Sequence, residues 1–159
     1  MKLLLIAGMI ALASPAVAAP FDRDPSELGA PINTQLAARG TALRIEGPNC
    51  REGAYLKSCL YKLGPIEIVS QGGPKANKTK KISVSLTGSD PEDSVLFLTA
   101  ASYLAQLHVP KLDTAAAASL VSKLLKGAAA DGKRYEIIDG VYFSIMRVSG
   151  QFDFFVMPE

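Results

Sequence analysis

At Ser89-Asp90-Pro91-Glu92-Asp93 the chain has to start a helix. Ser and Asp side chains can accept the free amide hydrogens of a first turn, proline already holds the φ that turn requires, and acids there face the positive end of the helix dipole. The same pentapeptide marks a change of hydrophobic period. Ahead of it Ile82, Val84 and Leu86 alternate as one side of a strand does, and behind it Leu96, Ala100, Tyr103 and Leu107 recur at helical spacing, with Phe97, Ala101 and Leu104 beside them. A chain that switches from one period to the other in its middle must lay helices against a sheet.

The other elements follow from the same two signals. Ile32, Leu36 and Leu43 with Ala37 and Ala38 predict a short helix, with Pro31 suited to its first position and Gly40 to its end. Gly47-Pro48-Asn49 reads as a break. Residues 54–63 alternate, Tyr55, Cys59, Tyr61 and Leu63 against Ser58 and Lys62, and Gly64-Pro65 turns them into a second strand, Ile66 to Ser70. With the strand at Ile82 to Leu86 this makes a three-stranded antiparallel meander. Val109-Pro110 ends the long helix, and Asp113-Thr114 caps another running to about Ala128 with Ala117, Leu120, Val121, Leu124 and Leu125 on one side. Asp139-Gly140 and Ser149-Gly150 are two-residue hairpin turns separating strands at 134–138, 141–148 and 151–157. The density of Phe152, Phe154 and Phe155 suits a strand covered on both faces or lying at an interface. The expected fold class is α+β, two-layer, with helices packed on an antiparallel sheet in the order α-βββ-αα-βββ. Helix plus three strands occurs twice, but the halves share no residue-level similarity.

Residues 1–18 have the pattern of a removable secretory signal: Lys2, the apolar run Leu3 to Leu12, a breaker at Pro15, and small residues Ala16-Val17-Ala18 before the expected cleavage. The run is far shorter than the ~20 residues a bilayer span needs. A flexible lead-in over 19–31, rich in proline and charge, is expected before a single domain over 32–159. Of the 17 basic residues only Lys2 leaves with the signal, so the mature chain is close to neutral against its 15 acids. That balance gives no reason to expect nucleic acid, which is held by clustered positive charge. The short, alanine-rich leader is bacterial in type and implies a periplasmic or secreted location, with no transmembrane segment in the mature chain.

Cys50 and Cys59 are the only cysteines. In an oxidising compartment an even pair at this spacing forms a disulfide, and closing so small a loop contributes about 2.7 kcal/mol on the chain-entropy model. The spacing is not the C-x-x-C of a redox pair, so the bond reads as a structural staple.

Candidate chemistry is sparse. His108 is the only histidine, and at a helix end beside Pro110 it reads as a cap for carbonyls of the last turn rather than a catalytic base. Ser119 with Lys123 and Ser122 with Lys126 stand one helical turn apart, but these lysines fall away from the leucine stripe and stay hydrated and charged, unlike an activated Ser-Lys pair. Asp90, Glu92 and Asp93 do not have the spacing of a calcium loop and read as helix-start acids. No catalytic residue, metal or cofactor is expected. The remaining surface feature is Lys75, Lys78, Lys80 and Lys81, four positive charges on one hairpin loop, a candidate interaction surface for an acidic protein or an anionic envelope surface. Tyr55, Tyr61, Tyr135 and Tyr142 are candidate exposed aromatics beside it. The expectation is therefore an exported, small, non-enzymatic protein-binding or accessory domain, of an inhibitor or immunity-like kind. The alternative is a carrier that encloses a small apolar ligand between helices and sheet, lined by residues such as Phe97, Tyr103, Phe143 and Phe154.

Overall fold

The computed structural model describes residues 20–73, 78–86 and 90–159; the expected signal segment lies outside them. Two 3-10 turns, Pro20–Asp22 and Pro25–Glu27, lead into helix α1, Gly29–Ala38. Strands β1, Glu46–Glu52, β2, Lys57–Leu63, β3, Ile66–Gly72, and β4, Thr79–Leu86, follow. Helices α2, Pro91–His108, and α3, Thr114–Asp131, come next, and the chain closes with β5, Lys133–Ile138, β6, Val141–Val148, and β7, Gln151–Pro158.

The mixed α+β class holds, with one strand more than expected before α2. The added strand is β1, an edge strand pairing antiparallel with β2. Gly47 and Pro48 do interrupt it: their peptide bond is cis, Gly47 has φ +116°, and the register shifts between Glu46 and Asn49. An edge strand needs only one hydrogen-bonded side, so it tolerates a proline and a bulge that a central strand would not. Cys50 and Cys59 stand opposite each other in this pair and are disulfide-bonded, with their Cα atoms 4.0 Å apart.

The two meanders fuse into one antiparallel sheet of seven strands in the order β1-β2-β3-β4-β7-β6-β5. The junction is β4 with β7, where Ile82 stands opposite Val156, Val84 opposite Phe154 and Leu86 opposite Phe152. All three helices pack on one face. α2 lies over β3, β4 and β7, and α3 over β5 and β6. Tyr61, Ile68, Ile82, Phe143 and Phe154 point from the sheet into the same layer as Phe97, Leu104, Val121 and Leu124 from α2 and α3, each 0–1 % exposed. Full burial of side chains of this size is worth roughly 1.5–3 kcal/mol apiece.

The lead-in before α1 is docked rather than loose. Asp24 accepts the Ser26 amide and hydroxyl hydrogens and pairs with Lys57 at 2.8 Å, and the Arg23 carbonyl accepts the Thr79 amide hydrogen. Tyr61 completes the attachment from β2: its hydroxyl donates to the Pro25 carbonyl at 2.7 Å and accepts from the Leu28 amide at 3.2 Å. Pro25 is thereby buried against the sheet. Proline and charge suggested mobility, but here they supply the turns and pairs that seat the segment.

Candidate functional site: the uncovered sheet face

Because every helix sits on one side, the other side of the sheet carries the alternate residues of each strand with no described element over them. Strand register divides this face into two halves. Over β2, β3 and β4 it presents Ser58, Lys62, Glu67, Gln71, Ser83 and Ser85 around a central pair, Leu60 and Val69. Over β7, β6 and β5 it is mainly apolar, with Phe155 and Met157 on β7, Tyr142 and Met146 on β6, and Tyr135 and Ile137 on β5, and it ends at a charged row in which Met146 lies between Asp153 and Lys133. Tyr135 is 56 % exposed and Ile137 46 %, while the other four are partly buried by one another. Tyr135 stacks on Tyr142 with ring centroids 5.5 Å apart, and Ser144, between Tyr135 and Phe155 in the register, is buried beneath them.

The boundary between the halves is held by Lys81, whose ammonium lies 4.5 Å from the centroid of the Phe155 ring. Such a cation over a ring face is stabilised by the ring's negative π surface and still presents charge to solvent.

Three of the four candidate lysines are described. Lys75 lies outside the described residues. Lys78 pairs with Asp22 at 2.8 Å, which raises its pKa through that hydrogen bond and charge. Lys80 is exposed at the start of β4, and Lys81 belongs to the open face. Of the four tyrosines, Tyr135 and Tyr142 lie on the open face and Tyr55 is 91 % exposed on the β1–β2 connection. Tyr61 is the correction: at 1 % exposed it is a core residue, and burial pushes its phenol pKa up to about 12.

His108 does bond a carbonyl of its own helix, Nδ1 to the Leu104 oxygen at 2.8 Å, but one turn back from the free carbonyls and in a buried setting. Its ring packs against Phe21, 4.4 Å between centroids, and Nε2 has no partner among the described residues. Burial drives its pKa down to about 4, so it is neutral at pH 7. Lys123 turns away from Ser119 and reaches Glu136 at 2.6 Å, which lowers the Glu136 pKa. Asp90 is the N-cap residue of α2, with Glu92 and Asp93 in its first turn. Phe97, Phe143 and Phe154 are fully buried between the layers, Phe143 and Phe154 stacked at 6.2 Å. A cleft of about 230 Å³ instead lies on the helix side, lined by Arg39, Val95, Leu98, Thr99 and Tyr103.

The fold and its site thus define a two-layer α+β protein with one half of its open sheet face left apolar. No protein family, curated protein or solved structure matches the chain.

Proposed function

We propose that the chain is an exported, non-enzymatic binding module that presents the apolar half of its open sheet face to another protein. The observation that carries this is the contiguous set Phe155, Met157, Tyr142, Met146, Tyr135 and Ile137, drawn from three neighbouring strands and covered by no described element. Aromatic and methionine side chains are the types enriched where proteins meet, because they give large contact area and adapt in shape. Lys81, Lys133 and Asp153 border the patch, so its margin is polar and of mixed charge, as the rim of a protein interface is. Support for export comes from the leader pattern, from the bonded Cys50–Cys59 pair, and from the finding that no described helix is long and apolar enough to cross a membrane. Between this function and an apolar-ligand carrier, the complete burial of Phe97, Phe143 and Phe154 in the packed core favours the former.

A photo-crosslinking residue placed at Tyr142 in the native host tests the proposal. It is expected to trap one defined protein, and the adduct is expected to vanish when Phe155→Asp breaks the patch. Trapping of equal strength from Ser85, on the polar half, or an adduct that survives Phe155→Asp would refute the assignment.

A further inference from the structure

We propose that β5 is a homodimer edge: two copies join β5 to β5 antiparallel about a two-fold axis through Tyr135, making one continuous sheet of twice seven strands. This goes beyond the binding function above, since it concerns the sheet edge and not the occupant of the face.

The hairpin turn sets the phase of the β5 backbone. Asp139 and Gly140 have φ of 51° and 74°, the two-residue turn in which the flanking pair, Ile138 and Val141, exchanges hydrogen bonds. Hydrogen-bonded pairs then recur at every second residue, so Glu136 and Arg134 also bond β6; the Arg147 amide donating to the Gly132 carbonyl at 2.8 Å continues the series. Lys133, Tyr135 and Ile137 therefore direct their N–H and C=O groups away from β6. No described strand pairs with that side.

The two edges of the sheet differ in how they meet solvent. β1 is interrupted by Pro48, which has no N–H, and by a bulge between Glu46 and Asn49. Those features block further pairing. β5 is six consecutive residues without Gly or Pro, and Lys133, Arg134, Tyr135 and Ile137 are exposed along it.

Charge selects the partner and the register. With the axis at Tyr135, the outward groups of Tyr135 meet those of the second Tyr135, and those of Lys133 meet Ile137, about six backbone hydrogen bonds in all. Arg134 then stands opposite Glu136 of the second copy, twice, on the helix side, where opposed side chains are close and the carboxylate that Lys123 already pairs with gains a second cation. Sliding the two-fold axis one residue either way puts Arg134 opposite Arg134 or Glu136 opposite Glu136. The strand is self-complementary in one two-fold register and repelled in its neighbours. In that register the Tyr135–Tyr142 stacks of both copies meet, and the two apolar half-faces become one surface.

Sedimentation of the mature chain and a mixed-cysteine experiment test the dimer. Wild type is expected to dimerise reversibly. Tyr135→Pro removes an N–H that makes no bond within the subunit, so it is expected to fold and remain monomeric, while Tyr135→Ala keeps the N–H and keeps dimers. Arg134→Glu places like charges in both cross-strand pairs and is expected to weaken the dimer about tenfold. A mixture of Arg134→Cys and Glu136→Cys chains is expected to oxidise to a covalent heterodimer, with neither chain cross-linking alone. A wild type that is monomeric at every concentration, a folded Tyr135→Pro chain that stays dimeric, or cysteine chains that cross-link only with themselves would overturn the proposal. Should the proline variant not fold, the cysteine mixture decides.

Discussion

Acid is expected to weaken this protein through one side chain. In the folded chain the His108 ring is sealed by Phe21, and its single bond, to the Leu104 carbonyl, uses Nδ1. A second proton would sit on Nε2, which is buried and meets no acceptor among the described residues. Burial therefore holds the pKa at about 4, against 6.5 in an unfolded chain. Above pH 6.5 neither state takes up the proton and stability is unaffected. As pH falls below 6.5 the unfolded chain is protonated first, so stability declines, and below about 4 both states are charged and the decline from this residue stops. At about 1.4 kcal/mol for each pH unit in that window, the loss is about 3 kcal/mol, a large part of the stability of a domain this size. Urea unfolding of wild type and His108→Gln at pH 7.5, 6.5, 5.5 and 4.5 measures it, because glutamine does not titrate and the difference between the two curves cancels the carboxylates. A nuclear-resonance titration of the His108 ring gives the folded midpoint directly. Parallel stability curves for the two chains, or a ring that titrates near 6.5, would show that burial does not suppress the charge.

Two further substitutions probe how the lead-in is seated. Tyr61→Phe leaves the Pro25 carbonyl and the Leu28 amide without their partner while keeping the ring, and is expected to cost about 1–3 kcal/mol in unfolding free energy; a value near zero would mean that water replaces the hydroxyl. Gly72→Ala would put a Cβ 2.4 Å from the Lys78 carbonyl oxygen and 2.9 Å from Pro25, so a loss of about 1–3 kcal/mol is expected by thermal or urea unfolding, whereas an unchanged stability would contradict the close approach of β3 to the start of β4.

Local chemistry explains why much of the fold is legible in the sequence. Asp139 and Ser149 take φ of 51° and 52° beside glycines, so both hairpin turns are written in dipeptides that tolerate that backbone. Asp113 caps α3 by accepting the Ala116 amide hydrogen, as its place before the alanine-leucine run predicts. β1 is hidden because its residues carry the signals of a break and its exposure leaves no alternation. The β4–β7 pairing is hidden for a different reason: turn chemistry reports neighbours along the chain and is silent on which distant strands meet. The alternation of Cys59, Tyr61 and Leu63 already places Tyr61 with the core, so composition misleads there where periodicity does not. The candidate site is the least legible part. Phe155 and Met157 look like core residues by type, and only the placement of all three helices on one side leaves them facing outward.

The last strand sits near the middle of the sheet, and that has consequences for how the molecule comes into being. During synthesis from the amino terminus, or during threading through a narrow pore, β4 has to wait for residues 151–158 before it acquires its second neighbour. Until then both half-sheets have raw borders at β4 and β6, the kind of margin that recruits stray chains. A polypeptide wired this way cannot close its sheet before β7 is made, so the two half-sheets stay separate until that strand docks between β4 and β6.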